Sequence, residues 1–227
     1  MRKLAARAPA FVTLCVSATL LSACAAQEPA APSLSPTPNE LANAIELTAA
    51  RGTTAITVTI ESDTETLTGT GSTSMTSPKG SITWNSSNSN TGIWTELQTR
   101  KALYSFIDDT WFAAPPGTFT PTSAALSPLD GLNELVANSD NPFSGNLPLT
   151  IESGLNFSED ELVNLPSECP PEVAVNIELD ATGVINRITK EFICPGYDRF
   201  SVTELTDFGI TVTVTEPTDA IEVPGNQ

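Results

Sequence analysis

The chain has 227 residues, with 10 Lys and Arg against 27 Asp and Glu, no histidine and a net charge of −17. Acidity on that scale repels nucleic acid and anionic headgroups, so neither is expected as a partner. The missing histidine removes the commonest general base, triad partner and metal ligand together.

Residues 1–7 carry three basic side chains, Arg2, Lys3 and Arg7, ahead of an apolar run over residues 8–21. This is the charged and apolar pattern of a secretory signal, too short for a spanning helix. The run ends in Leu21-Ser22-Ala23-Cys24, which resembles the lipobox of bacterial lipoproteins. That resemblance implies removal of residues 1–23, acylation of Cys24 by palmitate-type chains, and anchoring at the extracytoplasmic face of the cell membrane. Two or three acyl chains hold firmly where one holds marginally. The mature chain keeps 7 basic residues against 27 acidic ones, a net charge of −20. Of four cysteines, Cys15 goes with the signal and Cys24 takes lipid, leaving Cys169 and Cys194. Outside the cytoplasm these two are expected to form a disulfide. Closing the 24 residues between them stabilises a fold by about 3–4 kcal/mol. Two thiols without a histidine do not make a metal site.

Residues 24–37 are mostly Ala, Pro, Ser and Thr and read as an extended linker. A folded domain is expected over 38–220, with an acidic, frayed tail over 221–227. Thr37-Pro38-Asn39-Glu40 carries a helix start, and Leu41, Ala44, Ile45 and Leu47 follow at helical spacing up to Gly52. The period then changes to two. Ile56, Val58 and Ile60 alternate with Thr57, Thr59 and Glu61, a half-buried strand. Residues 69–72, 82–84, 93–99, 102–107 and 110–112 continue as an antiparallel meander, turning at Asp108-Asp109. A second helix is expected from Ser127-Pro128, with Leu129, Leu132, Leu135 and Val136 as its apolar stripe. Residues 138–146 read as loop and 149–151 as a strand. Ser158 caps a short helix. Val173, Val175, Ile177 and Leu179, the turn at 180–183, and residues 184–194, 200–205 and 210–215 read as strands. The expected fold class is α+β: a curled antiparallel sheet, a half-open barrel, with a few short helices against its concave face.

No catalytic arrangement emerges, and no enzyme activity, cofactor or metal is expected. There is no G-x-S-x-G elbow, and no lysine stands in S-x-x-K spacing. The acid groups at 61–65 and 159–161 read as solvated surface, since neither has calcium-loop spacing.

Three stretches are similar to one family. Ala102-Leu103-Tyr104 through Asp109 to Trp111, Gly131-Leu132-Asn133-Glu134-Leu135-Val136, and Thr206-Asp207-Phe208-Gly209 with Val212-Thr213-Val214 before Pro217 and Asp219 resemble the actinobacterial LppX/LprG-type lipoproteins. With the LolA and LolB carriers, these share a half-open barrel stoppered by helices. The resemblance implies binding of acyl chains of a lipid or lipoglycan in an apolar cavity, and transport to the cell envelope with a membrane transporter as possible partner. The cavity would be lined by Ile56, Val58, Ile60, Leu129, Leu132, Leu135, Val136, Val175, Ile177 and Leu179. The alternative is an acyl-anchored structural or adhesive module with a filled core and no ligand.

Overall fold

The computed structural model describes residues 39–118, 120, 122–150 and 153–224. The signal, Cys24 and the linker lie outside the described residues. Helix α1, Asn39–Ala49, buries Leu41, Ala44 and Thr48, whereas Leu47 faces solvent. Thr48 turns its hydroxyl to two uses. It donates to the Ala44 carbonyl (2.7 Å) and accepts from the Ile185 amide (2.8 Å), tying the helix to the sheet. The chain leaves the helix through Gly52 at φ +81°, which a side chain would strain.

Six strands follow as a meander: β1 (Thr53–Ser62), β2 (Thr66–Ser74), β3 (Gly80–Ser86), β4 (Ile93–Gln98), β5 (Leu103–Ile107) and β6 (Thr110–Ala114). Asp108 and Asp109 both take positive φ at the β5–β6 turn, the conformation a two-residue hairpin needs. The second half adds β7 (Val136–Asn138), β8 (Asn141–Pro148), helix α2 (Glu159–Val163), β9 (Glu172–Leu179), β10 (Ile185–Phe192), β11 (Arg199–Thr206) and β12 (Ile221–Glu222). Strand β11 pairs antiparallel with β1 and joins both halves into one sheet of twelve strands, ordered β12-β6-β5-β4-β3-β2-β1-β11-β10-β9-β8-β7. It is a curled, unclosed sheet of an α+β fold, and only the β12–β6 pair is parallel.

Register decides what faces inward. Ile56, Val58 and Ile60 lie opposite Gly71, Gly69 and Leu67 on one side and Leu205, Thr203 and Ser201 on the other. Ile188 and Lys190 of β10 meet Ile177 and Val175 of β9 on the same face. Gly69 has a packing reason to lack a side chain. A Cβ there would stand 2.7 Å from both Ile82 Cδ1 and Trp84 Cε3, so the glycine lets the buried indole lie flat across the sheet. Trp84 then stacks on Trp94 at 6.0 Å.

Five expectations change. The stripe Leu129 to Val136 is not an α-helix but two 3-10 turns, Ser123–Leu126 and Leu132–Glu134, leading into β7. Gly131 at φ +75° interrupts the helical path between them. Residues 141–146, read as loop for their Asn, Ser and Gly content, form strand β8, because pairing with β9 supplies the hydrogen bonds. Leu149 and Thr150, expected to begin a strand, lie in none, and Ile151 falls outside the described residues; the Leu149 amide donates to the Pro171 carbonyl (2.9 Å). Residues 210–215 are not a strand but a segment whose Val212 is buried and whose Val214 packs with Leu97, Tyr104 and Ala113, a cluster separate from the main core. The tail beyond them is not frayed at once: Ile221 and Glu222 pair with Phe112 and Ala113.

Cys169 and Cys194 are joined, with 5.4 Å between their α-carbons. The bond ties the segment after α2 to the end of β10. Replacing both cysteines by serine should lower unfolding free energy by about 3 kcal/mol. Urea unfolding with and without reductant measures this, and reductant should leave the double variant unchanged.

Candidate functional site

The inner face of the sheet is apolar, and two irregular segments cover it. One is a strap over residues 122–135. The other is a flap over residues 153–169. Each is fastened by identifiable contacts.

The strap begins at a buried carboxylate. Glu96 on β4 is 2% exposed and accepts hydrogen bonds from Trp84 Nε1 (2.9 Å), Thr120 Oγ1 (2.8 Å) and Thr122 Oγ1 (2.9 Å). Burial pushes its carboxyl above the usual glutamate range, and the three donors pull it part of the way back. Further along, Thr73 Oγ1 donates to the Leu126 carbonyl at 2.5 Å. Leu126 and Leu132 supply the strap's fully buried side chains.

The flap is held by Leu155 and Phe157, both fully buried. Phe157 meets Phe192 edge-on at 5.3 Å, and the Arg199 guanidinium lies 4.8 Å over the Phe157 ring. Arg199 also pairs with Glu161 at 2.8 Å. Ser158 and Glu161 form a reciprocal capping box at the start of α2. The Cys169–Cys194 bond closes the far side.

Openings flank the strap. A cleft of about 210 Å³ separates strap from flap, with Ala124, Ser127 and Gly131 on one wall and Leu147, Val173 and Lys190 among its other lining residues. A second cleft of about 350 Å³ lies on the strap's other side, against Met75, Pro78 and Gln98. Between sheet and strap, where Val58, Ile60 and Ile188 face Ala125 and Pro128, the space shrinks to about 10 Å³.

Lys190 is the side chain that sequence reading passed over. It sits on β10 between Ser201 and Val175 of the neighbouring strands, on the inner face. Its side chain is part-buried and lines the cleft between strap and flap. Nζ donates to the Ser153 carbonyl at 2.8 Å. Among the described residues no carboxylate stands within ion-pair distance of it. Burial pushes its pKa down from 10.5 to about 8. The alternation Ile188, Lys190, Phe192 was the available signal, since a strand that turns its isoleucine and phenylalanine inward turns the lysine with them.

The structure brings together most of the expected lining. Ile56, Val58, Ile60, Val175, Ile177 and Leu132 share one buried core, with Leu129, Leu135 and Leu179 packed at its margin. Val136 stands apart, 68% exposed on the edge strand β7. No described helix is long and apolar enough to cross a membrane.

No protein-family model matches the chain, and no curated protein matches it. Among solved structures the chain is similar to LprF from Mycobacterium bovis, at 14% identity and a TM-score of 0.46, over 81% of this chain and 99% of that one. It is similar to the Mycobacterium tuberculosis lipoprotein LppX at 12% identity and a TM-score of 0.45, over 78% of this chain and 100% of that one. A protein of the DUF1329 family from Desulfovibrio piger matches at 9% identity and a TM-score of 0.29, over 78% of this chain and 93% of that one. What the clefts can hold follows from this chain's own residues.

The buried ammonium has a stability consequence with a definite sign. The folded pKa of Lys190, about 8, lies below the ordinary 10.5, so folding is opposed by this group while it is charged. The opposition is full below pH 8 and vanishes above about 10.5. Lys190→Met should therefore raise unfolding free energy by about 1–3 kcal/mol at pH 7, net of the lost hydrogen bond to Ser153. The gain should shrink steadily between pH 8 and pH 10. Urea unfolding across that range checks both size and direction.

Proposed function

We propose that this domain binds the acyl chains of a lipid or lipoglycan on the concave face of its sheet, beneath the strap. The observation that carries this reading is the strap itself. A face lined by Val58, Ile60, Ile188 and Ile177 is covered not by a long helix but by two short 3-10 turns with clefts on both sides. Short turns make few repetitive hydrogen bonds, so in this reading the strap is the cover that lifts to admit a chain. Lifting it would join both clefts across the 10 Å³ gap, over a floor of Val58, Ile60 and Ile188. Separately, at about 210 and 350 Å³, the clefts fall below and at the low end of the range for small-molecule sites, about 300–1,000 Å³. Each methylene taken out of water there contributes about 0.8 kcal/mol, so a chain needs no specific polar contact to bind.

In this reading the protein is a carrier and not an enzyme. Cys24 is acylated and holds the domain at the extracytoplasmic face of the cell membrane. The linker over 24–37 gives it reach, and the ligand passes toward the envelope, handed on by a membrane transporter. A second reading also has a specific observation behind it. Trp84, Phe157, Phe192, Leu132 and Leu155 already fill the interior, as in a structural or adhesive module with a finished core.

One substitution separates the two. Val58 is 2% exposed and lines the small gap under the strap. In a finished core, Val58→Trp overpacks and costs about 1–3 kcal/mol. Under a strap that lifts, the indole takes the place of the acyl chain. We expect binding of cis-parinaric acid to weaken at least tenfold in Val58→Trp, with thermal stability close to that of the parent. A parent protein that binds no parinaric acid, together with a destabilised variant, would leave the structural module.

A further inference from the structure

The cleft between strap and flap contains two donors that the fold does not use. Lys190 carries three ammonium protons, and among the described residues only the Ser153 carbonyl takes one, at 2.8 Å. Ser153 is 8% exposed, and its Oγ is buried without a hydrogen-bond partner. Both residues line the same cleft of about 210 Å³. The backbone brings them close. Ser153 is followed by Gly154 at φ +73°, where even a Cβ would stand 3.5 Å from Lys190 Nζ. Buried donors left unpaired are costly, by the desolvation each has suffered. A cleft lined by both an ammonium and an unpartnered hydroxyl presents a seat for an acceptor.

The surroundings choose the acceptor. Asp130 and Glu134, both exposed, line the same cleft, and the mature chain carries a net charge of −20. A dianion or polyanion would be repelled on approach, whereas a single charge that ends on the ammonium is not penalised as heavily. Leu147, Pro148, Val173 and Ala124 give the cleft an apolar side next to the polar Ser127 and Thr150, and Ala124 and Lys190 also line the gap under the strap.

We infer that Lys190 Nζ and Ser153 Oγ form a carboxylate-binding point for a singly charged amphiphile, a long-chain fatty acid whose hydrocarbon lies along the apolar face. This rests on the acyl-binding reading above and names the head group it serves. A monocarboxylate offers two oxygens to two donors, one charged and one neutral, with no surplus charge left in the cleft. Occupation would give the ammonium the ion pair it lacks among the described residues. The depressed pKa of about 8 fits an ammonium still mostly charged at neutral pH and ready to pair.

The test compares ligands with one chain and different heads. Palmitic acid, its methyl ester and hexadecanol are titrated against the Cys24→Ala protein, with inorganic phosphate as a separate arm, and dissociation constants are measured by calorimetry. We expect palmitate to bind at least tenfold more tightly than ester or alcohol, and phosphate not to compete. In Lys190→Met that preference should fall to about one, and in Ser153→Ala it should fall severalfold. Nuclear magnetic resonance of the Lys190 ε-methylene should show its pKa rising by a unit or more in the palmitate complex. Equal binding of all three heads by the parent protein overturns the carboxylate point and leaves acyl binding standing. Binding of none overturns both. Phosphate binding as tight as palmitate overturns the fatty acid in favour of a free anion. Equal weakening of every ligand in Lys190→Met, with loss of stability, marks Lys190 as a structural tie only.

Discussion

An open sheet of twelve strands has an apolar face that no further strand can cover. Every other feature of the domain answers that constraint. The row from Val58 through Thr203 and Ile188 to Ile177 runs across four strands, and water must be kept from it. A closed barrel would do so by curling on itself. Here the ends of the sheet are the short strands β7 and β12, three and two residues long, and the face is sealed instead by strap and flap. Short edges also offer little template for pairing with another chain.

The two covers are fastened differently. The flap is held by a covalent bond, an arginine bridging Glu161 and Phe157, and two fully buried side chains. The strap hangs from hydroxyl groups: Thr120 and Thr122 on the Glu96 carboxylate, and Thr73 on the Leu126 carbonyl. Glu96 has its pKa raised by burial, so its charged form is the one the folded state disfavours. Stability from this group is fully present below the ordinary glutamate value and is lost as pH rises through the raised one. The strap is thus secured by hydroxyl groups on a carboxylate under electrostatic cost, and the flap by a covalent bond beside the Arg199–Glu161 pair and the Lys190 hydrogen bond to Ser153.

Much of this was legible in residue order, and the failures share a cause. Period-two alternation placed Ile56, Val58, Ile60, Val175 and Ile177 on one buried face, and the structure puts them in one core. Counting cysteines paired Cys169 with Cys194 as the structure does. The cap at Ser158 was read correctly, whereas Glu161, read as solvated surface, reaches back to Ser158 and pairs with Arg199. The strap was misread because Leu129, Leu132, Leu135 and Val136 stand at helical spacing. One glycine, Gly131 at φ +75°, breaks the path that spacing presupposes. Strand β8 was missed because its asparagines and glycine lack strand propensity, and it is held by its neighbour β9. Lys190 was missed by residue type. Lysines are rarely buried, so its charge outweighed the alternation that placed it beside Ile188 and Phe192 on the inner face.

The central claim is that the concave face is a seat for hydrocarbon and not merely the inside of a packed module. Native mass spectrometry of the Cys24→Ala protein, purified under gentle conditions without detergent, tests it most directly. The account predicts a population heavier than the polypeptide by one lipid, released at higher collision energy and identified by its fragments. A single species at the polypeptide mass, unchanged after incubation with an excess of phospholipid and fatty acid, would contradict it.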